Sequence, residues 1–153
     1  MARLPFVVTT TSEIATGSGA DKTVLQINAP TNQRVAVKSV EITFKGTDPS
    51  ATPILVKLCQ QTAATGSGSS ASNTPAKEDP GISTSIQTTG KQGYTSEPTG
   101  TVIVRQWEVH PQAGLLYSFP LGDEVVVPGG GALGIVVNAA ASVSCAPLFR
   151  CEE

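Results

Sequence analysis

The chain has little charge: Asp, Glu, Lys and Arg make up only 14% of its 153 residues, and the formal net charge is −2. An ordinary soluble domain carries about 25% charged residues. Because no basic excess is present to follow a phosphate backbone, the composition argues against nucleic-acid binding. Ser, Thr and Gly must supply much of the polar surface, which suits β-sheets and close protein–protein contacts as well as plain solvated loops.

Long apolar runs are missing as well. No stretch approaches the roughly 20 apolar residues of a membrane span. The opening segment MARLPFVVTTT does not contain the apolar core of about 7–15 residues that marks a signal peptide. We therefore expect no membrane partner, and synthesis in a reducing cytoplasm.

The chain has only one histidine, so few residues are available for a catalytic or metal-binding site. His110 cannot by itself supply the ligands of a metal centre, and no nucleophile motif such as GxSxG accompanies it. Because Pro111 follows it, His110 is predicted to end a strand and begin a turn. Gly129, Gly130 and Gly131 lack the lysine and Ser/Thr of a phosphate loop and are predicted to form a hairpin turn. We expect no catalytic, cofactor-binding or metal-binding residues, and no enzyme.

Three cysteines leave at least one unpaired within a monomer. Cys145 and Cys151 would lie about 20 Å apart in one extended strand, whereas a disulfide needs less than about 7 Å between Cα atoms. Only a tight turn at Ala146-Pro147 would let them pair. Cys59, Cys145 and Cys151 are therefore expected to be small buried side chains.

What the chain does contain is a series of short Val/Ile/Leu-rich runs divided by Pro and Gly, most densely from Thr101 to Glu152. Such runs are typical of antiparallel strands. About eight strands without a helix predict an all-β, two-sheet sandwich that is jelly-roll-like. An immunoglobulin-like sandwich is the alternative, since Cys59, Trp107 and Cys145 stand in the required order, but Val143 occupies the place of the expected tyrosine.

Within this sandwich the apolar phase of 34–45 slips by one residue near Lys38 and Ser39. The slip predicts either a β-bulge or a strand that passes between the sheets. Residues 1–21 are expected to form an extended N-terminal arm, and residues 22–153 a single sandwich domain. The segment of about 63–100 is predicted to be a long irregular loop, too polar for the core, that lies on the outer surface or at a subunit contact.

Several blocks resemble a family of small proteins of tailed bacteriophages and prophages that includes capsid decoration, or cement, proteins. The blocks are TVLQINAPTNQRVAVKSVEITFKGTDPSATPILVKL, EDPGISTSIQTTG, TSEPTG, WEVHPQAG, PLGDEVVVPGGGALGIVVNA and LFRCEE. The resemblance spans residues 22–153. It implies a jelly-roll-like homotrimer on the outside of an icosahedral phage head, with the major capsid protein as partner and the virion as location.

In this interpretation, the arm contacts a neighbouring subunit or the capsid shell and holds the assembly together. Its apolar anchors are Val7, Val8 and Ile14, and Trp107 and His110 are further candidate interface residues. Deletion of residues 2–20 is expected to weaken assembly while the sandwich stays folded. Two alternatives remain open: a receptor- or glycan-binding module of a tail or fibre, and a coat protein built on a single jelly roll.

Overall fold

The computed structural model describes residues 3–45, 52–61, 71–99 and 102–153. These residues form thirteen strands in two antiparallel sheets that pack face to face, with no helix among them. Sheet I contains β1 (Pro5–Thr9), β2 (Ile14–Ala15), β4 (Val35–Lys45), β7 (Ala76–Lys77), β10 (Leu115–Ser118), β11 (Val125–Val127) and β13 (Ser144–Glu152). Sheet II contains β3 (Asp21–Asn28), β5 (Ile54–Gln61), β6 (Ala71–Asn73), β8 (Thr89–Gln92), β9 (Val102–Val109) and β12 (Ala132–Asn138).

The strand order is that of a jelly roll. In sheet I the order β1-β13-β4-β10 faces the order β3-β12-β5-β9 in sheet II, and these eight strands form the framework. The short strands β2, β6, β7, β8 and β11 extend its edges. The predicted jelly-roll-like sandwich is confirmed. The immunoglobulin alternative is wrong, because the first two strands of an immunoglobulin sandwich share a sheet, whereas the first two of the eight framework strands here, β1 and β3, lie in opposite sheets.

The phase slip in β4 is a β-bulge. Arg150 of β13 pairs with Ser39 and Cys151 pairs with Val37, so that Lys38 is the extra residue. The bulge lets Val37 and Val40 both reach the core, where each is fully buried. β4 therefore stays in one sheet along its whole length, and the bulge alternative is confirmed.

The predicted arm is not separate from the sandwich. β1 lies inside sheet I between β13 and β7, and Phe6 and Val8 are fully buried in the core. The expected boundary at residue 21 is corrected accordingly, because β3 already begins at Asp21. Deletion of residues 2–20 would remove an internal strand, so the expectation that the sandwich survives this deletion is withdrawn.

The middle segment is also more ordered than expected. Within it lie β6, β7 and β8, and Tyr94 is only 2% exposed. The Tyr94 hydroxyl donates to Gln26 Oε1 at 2.6 Å, Gln26 Nε2 donates to Gln61 Oε1 at 2.8 Å, and Gln61 Nε2 donates to Thr23 Oγ1 at 2.9 Å. This buried chain of hydrogen bonds ties residues 93–99 to the outer face of sheet II. Residues 63–70 and 100 of the predicted loop lie outside the described residues.

The glycine-rich turn behaves differently from the prediction in one respect. Gly130 has a φ of 75°, as a turn glycine should. However, the turn joins β11 of sheet I to β12 of sheet II, so it is a crossing between the sheets and not a hairpin. Its backbone packs on the turn at residues 29–33, since Gly130 N donates to Pro30 O and Ala29 N donates to Gly131 O.

Candidate interaction surface

The exposed large aliphatic side chains of the described residues are concentrated in one part of the sequence. They come from the single stretch 102–126, which contains the edge strand of sheet II, β9, and the edge strands of sheet I, β10 and β11. The six residues are Val102, Ile103, Val104, Leu116, Leu121 and Val126, with exposures between 37% and 87%. We call residues 102–126 the lateral surface. By strand register, Leu116 and Val126 lie on the outer face of sheet I, beside Glu41 and Ala36, whereas Ile103 lies on the outer face of sheet II, beside Cys59.

A ladder of aromatic rings holds the two edges together beneath this surface. The ring centroids of Trp107 on β9 and Tyr117 on β10 lie 5.2 Å apart, and those of Tyr117 and Phe119 lie 5.1 Å apart. The guanidinium carbon of Arg105 lies 5.8 Å from the Tyr117 ring centre and 5.7 Å from that of Phe119. Rings at these distances attract each other, and a cation over them adds to the attraction. These contacts therefore hold β9 and β10 in a fixed relative position.

The edge strand β9 carries two features that discourage strand addition. Its register against β5 shifts so that Ile103 pairs with Cys59 and Arg105 pairs with Leu58, which leaves Val104 as a bulge. Arg105 shares the inward side of the sheet with Leu58, which is fully buried. Bulges and inward-pointing charges are two means by which proteins protect a sheet edge from pairing with another chain. Contacts at this surface are therefore expected to involve side chains.

The charges at the lateral surface do not pair with one another. Within the described chain, Arg105 is in no salt bridge, and neither are Glu108, Asp123 or Glu41, whose strand lies beside β10. By contrast, Glu124 is held by Lys38 Nζ at 2.8 Å. The surface thus offers one guanidinium and several carboxylates to an incoming partner.

The outer face of sheet I is different, because its charges neutralise each other. Lys38 Nζ lies 2.8 Å from Glu124 Oε1 and 3.2 Å from Glu152 Oε2, and Arg3 reaches the same Glu152 oxygen at 3.2 Å. The hydrogen bond from Lys38 lowers the pKa of Glu124 to about 2, and the same bond raises the pKa of Lys38. These residues line an open groove of about 850 Å³. The groove is lined by three cations and three carboxylates, namely Arg3, Arg34, Lys38, Glu124, Glu152 and Glu153, so it presents no excess of either sign to a ligand.

The residues predicted for an interface are placed in several different environments. Val8 is in the core, Val7 lies half-buried on the outer face of sheet I beside Arg150, and Ile14 packs against the core from β2. Trp107 is half-buried in the aromatic ladder. His110 follows β9 and its carbonyl accepts from Ala113 N at 2.9 Å, so the predicted turn is confirmed.

The structure brings only two of these residues, Trp107 and His110, into the lateral surface. The aliphatic side chains that dominate it were missed by sequence reasoning. One signal was available: in VIVRQWEV the aliphatic residues Val102, Ile103 and Val104 are consecutive, which a strand with one buried face does not require.

The three cysteines are free and buried, as predicted. Burial raises the pKa of Cys59 to about 11 and that of Cys145 to about 12, and burial also raises the pKa of Cys151. Among the described residues there is no group of three or more His, Cys, Asp or Glu side chains arranged to hold a metal ion. The described chain also has no helix of the length and apolarity that a membrane crossing requires.

No family model, curated protein or solved structure matches this chain.

Proposed function

We propose that this chain is a structural virion protein that decorates and stabilises the outer surface of a bacteriophage icosahedral capsid as a homotrimer. The observation that carries the proposal is the lateral surface, since all the exposed large aliphatic side chains of the described residues come from the edge strands and loops of residues 102–126 in a jelly roll. The resemblance of residues 22–153 to phage decoration proteins supports the same function.

The architecture suits a protein that works by contact. A decoration protein needs many weak contacts over a broad area, and symmetry multiplies each of them: a trimer offers three copies of every contact to the shell. A weakly charged surface lowers the desolvation cost of such contacts. The lateral surface would serve contacts between subunits, and the remaining faces would be available to the major capsid protein.

Two experiments test this function in sequence. Native mass spectrometry should give three times the chain mass of 15.7 kDa, or about 47 kDa. The trimer should then sediment with phage heads that lack their decoration protein and should raise the temperature at which these heads release DNA. Failure to bind such heads at saturating concentration would contradict the capsid role, whatever the oligomeric state.

A coat protein built on a single jelly roll is the second candidate. The eight-strand order that favours it is shared with viral capsid domains. A coat protein would assemble into closed shells of megadalton mass without any partner, and the mass measurement separates the two functions directly.

A glycan-binding module receives less support. Sugar rings stack on exposed aromatic side chains, yet each of the seven aromatic residues of this chain is buried or half-buried. The largest group of them, Trp107, Tyr117 and Phe119, is used to join β9 to β10.

A further inference from the structure

We infer that residues 93–99 form a guard on sheet II, which covers the free half of β3 and prevents a strand of another chain from pairing with it. Glu97 is the central residue of this guard, because its carboxylate occupies the place that the carbonyl group of an added strand would take. The inference goes beyond the proposed capsid function and does not depend on it.

β3 is paired along its whole length on one side and along only part of its length on the other. β12 pairs with β3 from Asp21 to Asn28, whereas β8 pairs only with Gln26, Ile27 and Asn28. Among the strands of the described residues, none pairs with residues 21–25 on the side of β8. An unpaired strand edge offers N–H and C=O groups with which another chain can pair.

The chain leaves the β8 ladder at Gly93 and then passes along this free half of β3. Gly93 has a φ of 67°, in the left-handed region that favours glycine, so the backbone turns away after Gln92, the last residue of β8. Tyr94 is only 2% exposed, and its hydroxyl donates to Gln26 Oε1 of β3 at 2.6 Å. Residues 93–99 therefore stay against β3 without forming a further strand of the sheet.

Glu97 accepts a backbone hydrogen bond that a neighbouring strand would otherwise accept. Thr23 N donates to Glu97 Oε2 at 2.6 Å, and Lys22 Nζ lies 3.5 Å from the other oxygen of the same carboxylate. Lys22 Nζ also donates to the carbonyl of Tyr94. Because a hydrogen bond to an ionised carboxylate is stronger than one to a neutral carbonyl, Glu97 competes well with an incoming strand for the Thr23 N–H.

The guard has few apolar anchors, so its polar contacts decide how often it opens. Of residues 93–99, only Tyr94 and Pro98 are buried. Segments with few buried apolar contacts open locally at a lower free energy than the core does. Covering an edge with a loop is one of the means by which proteins prevent pairing between sheets of different molecules. The Glu97 contact therefore controls how often the free half of β3 is exposed.

Hydrogen exchange of the Thr23 amide, followed by NMR, tests the contact. Glu97→Ala should raise the exchange rate of this amide about 10–100-fold, because it removes a hydrogen bond to a charged acceptor. Glu97→Gln keeps a side-chain oxygen as acceptor and should raise the rate less. The matched control is Glu13→Ala, which removes the carboxylate of an exposed ion pair with Lys45 and should leave the rate unchanged. Far-UV circular dichroism verifies that each variant is folded.

Native mass spectrometry across a concentration series tests the protection. The double variant Tyr94→Phe/Glu97→Ala loses both side-chain contacts of the guard with β3. We expect it to form species larger than the wild-type protein, in amounts that rise with concentration, while Glu13→Ala keeps the wild-type mass. In the larger species, hydrogen exchange with mass spectrometry should show residues 21–25 protected again, because a strand of a second copy pairs with them. If the double variant does not fold, Glu97→Ala carries the same test.

Three results would overturn the inference. An unchanged Thr23 exchange rate in folded Glu97→Ala would show that the carboxylate does not hold this edge. Faster exchange without larger species at any soluble concentration would show that the edge needs no guard. Larger species in which residues 21–25 stay unprotected would place the new contact elsewhere. None of these results bears on the capsid function, which the assay on undecorated heads decides separately.

Discussion

The ring of Trp107 on β9 lies 5.2 Å from the ring of Tyr117 on β10, with the two planes inclined at 47°. These strands are edges of opposite sheets, so this pair joins the two layers where no backbone hydrogen bond connects them. Arg105 covers the adjacent Tyr117 and Phe119 rings. The pair therefore stabilises the fold and also fixes the relative position of the strands that form the lateral surface.

Replacement of Trp107 by alanine should lower the free energy of unfolding by about 2–4 kcal/mol. Truncation of a fully buried aromatic side chain costs about 3–5 kcal/mol, and Trp107 is half-buried. Urea denaturation measures the change. Tyr117→Phe, which keeps the ring contact, serves as control and should stay within about 0.5 kcal/mol of the wild type. A near-wild-type Trp107→Ala variant would show that the ring ladder does not hold the edges together.

Phe6 should behave as a core residue. Phe6→Ala is expected to destabilise the chain by about 3–5 kcal/mol, because the side chain is fully buried between the sheets. Val7→Ala, on the outer face of the same strand, should cost less than about 1 kcal/mol. Equal and small losses at both positions, measured by urea denaturation, would restore the interpretation of residues 5–9 as an arm outside the domain.

The close approach of Gly90 to Val8 provides a test of the packing between the sheets. A Cβ atom at position 90 would lie 2.5 Å from Val8 Cγ1 and 3.1 Å from Asn73 Cβ. Gly90→Ala should therefore destabilise the fold by about 1–3 kcal/mol through overpacking. Val8→Ala makes room for the new methyl group, so the double variant should be more stable than the sum of the single changes predicts. Strict additivity in this double-mutant cycle would contradict the contact.

The buried hydrogen-bond chain on sheet II should depend on the Tyr94 hydroxyl. Tyr94→Phe leaves Gln26 Oε1 without its donor in a buried position, and an unsatisfied buried acceptor costs about 1–3 kcal/mol. Hydrogen exchange should also show faster opening of residues 93–99. Unaltered exchange there, with unaltered stability, would mean that this segment is held by other contacts.

The ion pair of Glu124 with Lys38 should make the free energy of unfolding depend on pH in the acid range. The pKa of Glu124 is lowered from 4.5 to about 2 in the folded chain. Its contribution is therefore fully present above pH 4.5 and is lost as the pH falls through about 2. Glu124→Gln should flatten the dependence of the unfolding free energy on pH in this window.

The partner variant supplies the control for this experiment. Lys38→Met removes the donor that lowers the pKa of Glu124, so it should flatten the same window, and the double variant should add little to either single change. Acid unfolding followed by circular dichroism gives the slopes. A wild-type slope in Glu124→Gln would show that the ion pair does not persist in solution.

The sequence by itself determined the class of the fold. Short β-branched runs, divided by Pro and Gly, predicted antiparallel strands, and their number predicted a two-sheet sandwich. The one-residue slip at Lys38 predicted the bulge in β4, because side chains alternate with a period of two and only an extra residue restores the buried face. Burial of the three cysteines followed from the same local patterns.

Only the tertiary structure decided where each segment lies in the sandwich. β1 is five residues long, and its sequence predicted an extended tail. It is an internal strand because it pairs with β13, which is more than 130 residues away in the chain. The lateral surface is likewise a product of topology. Whether Ile103 or Leu116 is exposed depends on which strands occupy the edges of the two sheets, and strand order results from long-range pairing that no local pattern contains.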